Sequence, residues 1–395
     1  VEYRAVSPAM RQRYGQMPVL NILIHCYQYL IARYDIDGFR IDTVKYVDPT
    51  AVEIFGNAIR EYATSIGKHN FFMFGEIADD MDTIAKFVGR NSPGDGYGID
   101  AALDFPLADH LPWAAKGLRE VEQLQRVYTL RKLYEQELLS THGEAGRFFV
   151  TFLDNHDKKQ RFFYPGMPQE QVVLGLGLLF TLQGIPCVYY GTEQGLQGTV
   201  HADGTPDLDA SLENVREALW GRQHPPAFAQ NTPLYLAMQT LARARDAEPA
   251  LRYGRQYFRP VSTNLRDFGP SYGMQGMVAF SRILADQEVL IVANTNTHAA
   301  GPNFTGGVLI DYDINHARPS MHLVYSNQAN APGSRPIRTI SSVNLYDDEN
   351  RLTVLSNDSV ALEVDVRPME ILIFATNPVL LEEIAEDIAE DAVRA

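Results

Sequence analysis

Short apolar runs alternate with segments of helical periodicity through the first 190 residues. Apolar residues recur at helical spacing from Met10 to Tyr34 and from about Pro49 to Ile66. Five short apolar runs predict strands, namely one that ends at Asp42 and the runs 70–76, 101–105, 147–153 and 185–190. Strands that are apolar throughout are typical of parallel sheets buried on both faces and joined by crossover helices.

Polar residues follow the predicted strands at their carboxyl ends, at Asp42, Glu76, residues 154–157 and Glu193. In a (β/α)₈ barrel of the TIM type, functional groups lie at these ends. The sequence therefore predicts an α/β fold with strands 4–8 of such a barrel. Five parallel strands cannot close an eight-stranded barrel and leave unpaired edges. We expect a missing N-terminal segment, in a longer precursor or a separate chain, to supply strands 1–3; the alternative is a truncated, inactive chain.

The pattern changes after residue 249, where short runs of alternating polarity are separated by Gly, Asn and Asp. This pattern predicts a small antiparallel β domain of the sandwich type over residues 250–376. The partial barrel would then occupy residues 1–249, and residues 377–395 are predicted to form an acidic helical tail.

The composition narrows the range of partners. The formal net charge is −15, which argues against nucleic acid and anionic membranes, since both bind basic surfaces. No apolar run reaches the roughly 18 residues that cross a bilayer. The two cysteines, Cys26 and Cys187, lie in apolar runs and are predicted to be core residues, with no disulfide inferred.

The segment Asp37–Lys45 has the sequence DGFRIDTVK and contains the first candidate group. Residues two apart in a strand share a face, so Arg40 and Asp42 point the same way. A fixed cation keeps a carboxylate ionised, as an attacking carboxylate requires. Taken alone, this pattern is more often a structural ion pair.

Two further acids end apolar runs. Glu76 follows Phe72 and Phe74, and apolar surroundings favour the protonated form of a carboxyl group, which suits a general acid. Asp157 ends the run 152–157, where an acid and a histidine could bind hydroxyl groups and stabilise positive charge. The alternatives are a loop acceptor for Glu76 and an Asx-rich turn for the second segment.

Taken together, these segments resemble the α-amylase family, glycoside hydrolase family 13. The resemblance extends over roughly residues 10–376 and rests on four segments: GFRIDTVK, FGE, FLDNHD and YYGTEQ. It implies that Asp42 is the nucleophile, Glu76 the acid/base and Asp157 the stabiliser of the transition state. The implied activity is a retaining hydrolysis of α-glucans, such as starch and maltooligosaccharides, by double displacement.

The resemblance also implies substrate-binding residues. Arg40 would hold Asp42, His156 would bind sugar hydroxyls, and Lys45 would reach a sugar on the leaving side. The family often has His after that lysine, whereas this sequence has Tyr46. The chemistry needs no cofactor, but the resemblance implies a structural calcium site whose ligands the sequence does not identify.

Two alternatives to hydrolysis remain open at this stage. An α-glucan transglycosylase would use the same acids, because acceptor-site residues decide between water and sugar. A non-catalytic glycan-binding relative, or an inactive remnant, would retain the motifs without turnover. The loop 194–231 matches no pattern that predicts linkage preference.

Overall fold

The computed structural model describes residues 7–15, 18–89, 97–134, 139–140, 143–198, 215–220, 228–328 and 333–377. The chain forms two compact units. Unit 1 comprises residues 1–106 and 128–151, and unit 2 comprises residues 107–127 and 152–395. The domain boundaries at residues 249 and 376 stay a prediction, and all but the first residue of the predicted tail lies outside the described residues.

Unit 1 begins with helices and a parallel sheet. Its helices are α1 (Pro8–Tyr14), α2 (Pro18–Tyr34), α3 (Pro49–Ser65) and α4 (Met81–Ile84). Its strands are β1 (Gly38–Ile41), β2 (Phe72–Gly75), β3 (Ala101–Ala102), β4 (Leu139–Ser140), β5 (Gly143–Glu144) and β6 (Val150–Thr151). Helix α3 begins where Pro49 fixes the first turn and the Asp48 carboxylate accepts from the Thr50 N–H at 2.9 Å.

The described part of unit 1 holds the parallel sheet β1-β2-β3. Arg40 pairs with Phe74 and Ile41 with Gly75, so β1 and β2 end side by side. A Cβ on Gly75 would lie 2.5 Å from the Ile99 side chain, so any larger residue here would displace that side chain. The parallel pairing agrees with the sequence, but β1 is half-buried rather than buried on both faces.

A buried ion pair fastens the segment after β3 within unit 1. Arg131 Nη2 lies 2.5 Å from Asp104 Oδ1, and both side chains are buried. The Arg131 guanidinium also lies 4.9 Å from the ring centroids of Tyr128 and Phe149. Removing one member of a buried ion pair leaves an uncompensated charge in the interior and destabilises the fold.

The residue ranges of the two units change within two helices, α5 (Phe105–Ala108) and α7 (Glu122–Leu133). The remaining helices belong to unit 2 and are α6 (Leu111–Ala115), α8 (Gln169–Thr181), α9 (Pro233–Ala247), α10 (Pro249–Tyr253) and α11 (Tyr312–Asn315). Helix α8 is buried along its described length from Gln171, as its apolar sequence predicts. No helix in the described ranges has both the length and the apolar character needed to span a bilayer.

The strands of unit 2 are mostly antiparallel. They begin with β7 (Ile185–Pro186) and continue as β8 (Arg255–Phe258), β9 (Val261–Ser262), β10 (Asp267–Phe268), β11 (Met277–Leu284), β12 (Gln287–Asn294), β13 (Phe304–Leu309), β14 (Ser320–Ser326), β15 (Gly333–Ile340), β16 (Val343–Tyr346), β17 (Leu352–Leu355), β18 (Ser359–Val366) and β19 (Ile371–Ala375). A nine-stranded sheet has the order β8-β11-β12-β19-β14-β15-β18-β13-β9, and a smaller sheet has the order β10-β16-β17. The predicted antiparallel sheet is therefore confirmed, whereas its packing as a sandwich stays a prediction.

The prediction that both cysteines are core residues is wrong. Cys26 and Cys187 are both exposed. Helix α2 buries Leu20, Ile24 and Ile31 but turns Cys26 to the outside. The apolar run that contains Cys187 forms a strand only at Ile185–Pro186, so apolar character alone overestimated the length of the strand.

Candidate active site

Arg40 joins the two acids that follow β1 and β2. Its Nη1 atom is bonded to the Asp42 carboxylate, and its Nη2 atom lies 3.1 Å from Glu76 Oε2. The predicted pair of Arg40 and Asp42 is present. The bond to Glu76 was not predicted, because it depends on the register between the two strands. The structure thus brings three of the predicted site residues together in unit 1.

Glu76 is fixed by its backbone and through one carboxylate oxygen. Its N–H donates to the Ile41 carbonyl at 2.8 Å, and its carbonyl accepts from the Val44 N–H at 3.0 Å. Glu76 Oε2 also accepts from the Thr43 N–H at 3.2 Å. Thr43 adopts the left-handed conformation with φ 52°, which turns the chain sharply after β1.

The two acids differ in exposure. The Asp42 side chain is 66% exposed, whereas the Glu76 side chain is 16% exposed. Asp42 is therefore open to an incoming molecule, whereas the Glu76 side chain is largely covered. The roles of nucleophile and general acid stay predictions.

Lys45 is bonded to the segment that follows β2. Its Nζ atom donates to the Ala78 carbonyl at 2.8 Å and lies 3.6 Å from Asp79 Oδ2. The Asp80 N–H, and after it the charge of Lys45, hold the pKa of Asp79 below its usual value. The Lys45 ammonium lies 5.3 Å from the ring centroid of Tyr46, whose side chain is strongly exposed.

His156 and Asp157 lie together in unit 2. His156 Nε2 is 3.1 Å from Asp157 Oδ2, and Arg216 Nη2 is 3.2 Å from Asp157 Oδ1. The Asn155 side chain accepts from the Asp157 N–H at 3.0 Å, so the Asx turn that the sequence allowed is also present. Both oxygens of Asp157 are therefore held by basic side chains.

Sequence reasoning missed Arg216. The residue lies in the loop 194–231, which carries no recognisable pattern, and its Nε atom also donates to the His156 carbonyl at 3.1 Å. The only signal was an arginine in a loop after a predicted strand. A single sequence offers no reason to prefer that arginine to its neighbours.

A buried arginine fixes the segment that carries Arg216. Arg161 is 1% exposed, and its Nε atom lies 2.7 Å from Glu217 Oε2. Its Nη2 atom donates to the Val215 carbonyl at 3.1 Å, and its guanidinium carbon lies 4.5 Å from the ring centroid of Tyr189. Because Val215 and Glu217 flank Arg216, these bonds set the direction from which Arg216 reaches Asp157.

Two further charged residues of unit 2, Asp154 and Lys116, are buried. Burial raises the pKa of Asp154, whose carboxylate accepts from the Phe162 N–H at 2.7 Å. Burial also lowers the pKa of Lys116 to about 8. The Lys116 ammonium lies 5.3, 5.2 and 4.8 Å from the ring centroids of Trp113, Phe162 and Tyr164.

The residues that the structure describes contain no group of three or more His, Cys, Asp or Glu side chains placed to hold a metal ion. The donors of the implied calcium site are therefore not assembled in that part of the chain. Structural calcium stays an implication of the resemblance, and the chemistry proposed below does not pass through it.

The chain matches known proteins over most of its length. The family model of the alpha-amylase catalytic domain matches residues 13–266. The alpha-amylase of Streptomyces lividans is 30% identical over 296 residues, which is 70% of this chain and 30% of that protein. The cyclomaltodextrin glucanotransferase of Paenibacillus macerans is 30% identical over 276 residues, or 68% of this chain and 31% of that protein. The chain thus spans about three tenths of the length of these curated relatives.

A solved structure extends the likeness in fold. The alpha-amylase of Anoxybacillus superposes with a TM-score of 0.60 at 22% identity, over 92% of this chain and 64% of its own. This likeness and the family match confirm a catalytic domain of the TIM-barrel type. Because the family model covers more than half of the sequence, the chain belongs to the alpha-amylase family through its catalytic domain.

Proposed function

We propose that the chain carries the catalytic groups of a retaining α-glycoside hydrolase that acts on α-glucans such as starch and maltooligosaccharides. The observation that carries this proposal is the Arg40 guanidinium bound by both Asp42 and Glu76 at neighbouring strand ends. The relatives named above are amylases and glucanotransferases, which supports the class of substrate.

Asp42 acts as the nucleophile. Its carboxylate is exposed, and the bond to Arg40 favours the ionised form that attack requires. Glu76 acts as the acid/base. Its bonds to Arg40 and the Thr43 N–H both go to Oε2, so this carboxylate oxygen is held in place close to Asp42. In the proposed mechanism, Glu76 exchanges a proton with the substrate during turnover.

The reaction takes two displacements. In the first, Glu76 gives its proton to the glycosidic oxygen while an Asp42 oxygen bonds to the anomeric carbon, and the leaving sugar departs. In the second, Glu76 takes a proton from water, the water oxygen bonds to the anomeric carbon, and the bond to Asp42 breaks. Because one guanidinium spans both carboxylates, a short separation near 5–5.5 Å is favoured over the 6.5–9.5 Å of inverting enzymes.

Asp157 and His156 belong to unit 2, and their roles rest on the family motif. Asp157 stabilises the positive charge that develops at the anomeric carbon, and His156 donates to sugar hydroxyls. The bond from Arg216 holds the Asp157 carboxylate in a fixed orientation.

The test is an assay of reducing ends released from maltoheptaose, with NMR detection of the anomer formed first. The samples are the chain and the chain with its upstream sequence restored, each as parent, Glu76→Gln and Asp42→Asn. Removing the acid/base should lower the rate about 10²–10⁴-fold. Glu61→Gln removes an exposed carboxylate of α3 and should leave the rate unchanged.

The proposal fails if both folded variants retain parental rates, or if the β-anomer appears first. Inactivity of every completed parent sample, with maltoheptaose still bound, would favour the glycan-binding alternative. An α-product that disappears in both variants, but not in Glu61→Gln, supports the assigned roles.

We also propose that barrel strands 1–3 come from sequence outside this chain. Within the described part of unit 1, β1 pairs with β2 on one side only. Helix α2 exposes apolar side chains that a further layer would cover, among them Val19, Leu23, Tyr27 and Tyr29. Restoring the upstream sequence should raise activity and the free energy of unfolding, and an unchanged value of both would contradict this proposal.

Transglycosylation is the second candidate function. The relatives include glucanotransferases, and an exposed aromatic side chain follows the proposed nucleophile by four residues. The same glycosyl-enzyme serves both reactions, so the outcome depends on what binds next to it.

A further inference from the structure

We propose that a pocket of unit 2, outside the residues assigned to catalysis, is a second binding site for α-glucan chains. The pocket has a volume of about 200 Å³, and its lining residues come from α7, from the strands β8, β16 and β17 and from the turns beside them. All of these lining residues belong to unit 2. The pocket takes no part in the proposed chemistry, but the choice of ligand rests on the proposed function.

The walls of this pocket are apolar and are carried by the β sheets. They include Phe258, Pro260 and Leu345. The Phe258 ring packs against the buried ring of Phe280, with 5.9 Å between the ring centroids. Leu345 pairs with the buried Phe268 of the neighbouring strand β10. The walls are therefore anchored in the core of unit 2, and they offer a preformed apolar surface to the C–H face of a pyranose ring.

The uncharged polar groups of the pocket are suited to hydroxyl ligands. Gln125, Tyr346 and Thr353 line it, and within the described ranges of the chain their side chains have no hydrogen-bond partner. A carboxamide, a phenol and an aliphatic hydroxyl each offer both a donor and an acceptor. A sugar hydroxyl also donates and accepts, so it can form hydrogen bonds with each of these three groups.

The charges around the pocket disfavour an anionic ligand. Arg259 lines the pocket, but its Nη2 atom lies 2.7 Å from the buried Glu288 Oε1. Asp347 also lines it and accepts from Arg351 Nε at 2.7 Å. These charges are therefore paired within the protein. Asp348, which is exposed, adds a carboxylate that repels anions and can accept hydrogen bonds from sugar hydroxyls. Apolar walls with such polar groups fit a neutral polyhydroxyl ligand.

The size of the pocket indicates which part of a glucan it would hold. Pockets that enclose a whole small ligand have volumes of roughly 300–1,000 Å³. The smaller volume here suits one part of a chain that continues across the surface, rather than a complete oligosaccharide. A polysaccharide that is bound here and at the active site is held more tightly than by either site alone, whereas a short oligosaccharide gains nothing from the second site.

The experiment measures binding to amylopectin by affinity electrophoresis in native gels. It uses the chain with upstream sequence restored and with Glu76→Gln, so that the polysaccharide is not cleaved. In this parent, Tyr346→Ala and Gln125→Leu should each raise the dissociation constant about 3- to 10-fold, as expected for a lost aromatic contact or hydrogen bond. Tyr253→Ala, which removes an exposed tyrosine of α10 in the same unit, should leave it unchanged.

A second readout separates this site from the active site. With Glu76 retained, Tyr346→Ala and Gln125→Leu should keep the parental kcat/KM for maltotetraose and lower that for amylopectin. An equal fall for both substrates would overturn the proposal of a separate site. If the enzyme with Glu76 shows no turnover, the proposed function fails, and the gels still decide whether the pocket binds glucan.

Three results in binding would overturn the second site. One is a parental dissociation constant in both folded pocket variants, the next is an equal loss in Tyr253→Ala, and the last is no retardation of the parent by amylopectin. Calorimetric titration with maltose and with tetramethylammonium tests the class of ligand. A cation that binds more tightly than maltose, and whose binding is lost in Tyr346→Ala, would replace the sugar by an organic cation drawn by the acidic side chains.

Discussion

Replacing Lys116 by Met should stabilise the folded protein at neutral pH. The side chain is 7% exposed and lies among three aromatic rings. Burial disfavours the charged form and lowers the pKa from 10.5 to about 8. Methionine keeps the apolar stem and its contacts with the rings but removes the charge.

The size of the effect follows from the two pKa values. A difference between 10.5 and about 8, at about 1.4 kcal/mol per pH unit, corresponds to a cost of about 3 kcal/mol. The attraction between the ammonium and each ring, about 0.5–2 kcal/mol, opposes this cost. The attraction between Asp154 and the charged lysine is already contained in the pKa of about 8. We therefore expect Lys116→Met to raise the free energy of unfolding at pH 7 by about 1–2 kcal/mol.

The sign of the pH dependence is fixed by proton linkage. Between about pH 8 and 10.5 the unfolded chain holds the proton on Lys116 and the folded chain does not. The free energy of unfolding therefore rises with pH in this window, and below pH 8 the full cost is present. Above pH 10 the trend is opposed by Tyr189, whose pKa burial raises to about 12, so measurements should stay below that pH.

The assay is urea unfolding of the parent and of Lys116→Met at pH 7.0 and 9.5, followed by circular dichroism. The advantage of the variant should shrink by up to about 2 kcal/mol between these pH values, because the parent loses its buried charge. Lys132→Met removes an exposed lysine and should show no such change. A difference between parent and Lys116→Met that is independent of pH would refute the reasoning.

Three further predictions concern single contacts. Arg216→Met removes the cation 3.2 Å from Asp157 and should lower kcat/KM for maltoheptaose about 10- to 100-fold. Arg216→Lys, which keeps the charge, should show a smaller loss. A folded Met variant with the parental kcat/KM would contradict this prediction. Arg131→Met leaves the buried Asp104 carboxylate without its cation and should cost about 3–5 kcal/mol in urea unfolding, whereas a cost below about 1 kcal/mol would show that the pair is not desolvated. Gly38→Ala places a Cβ 2.4 Å from the Phe72 carbonyl oxygen of β2 and should lower the free energy of unfolding by about 1–3 kcal/mol. An unchanged midpoint of thermal unfolding would mean that β1 and β2 move apart at this point without loss of stability.

The sequence predicted contacts that depend on local spacing. Arg40 lies in β1 and Asp42 directly follows its last residue, and their spacing of two predicted that they share a face. The contact between Arg40 and Glu76 depends on the pairing of Arg40 with Phe74 across β1 and β2, which periodicity does not reveal. Local geometry was thus predictable, whereas the register that joins the two acids was not.

The sequence did not predict which charged residues are buried. Arg161 and Glu288 are almost fully buried, although both are charged residues that usually lie at the surface. Their partners are far along the chain, such as Glu217 for Arg161, so no window of sequence contains both members of a pair. The prediction for Cys26 was wrong for the opposite reason. Its apolar sequence neighbours suggested that it is buried, but the orientation of α2 leaves it exposed.

The bonds around Glu217 give the loop after β7 a fixed base. The two oxygens of its carboxylate bind the Gly198 N–H and Arg161 at 2.7 Å each, and Arg161 also binds the Val215 carbonyl. Gly198 and Val215 are therefore both bonded to the pair formed by Arg161 and Glu217. Sequence changes between Gly198 and Val215 leave all four of these bonding groups in place. A library of variants in that stretch can therefore be screened for substrate preference without redesigning the core.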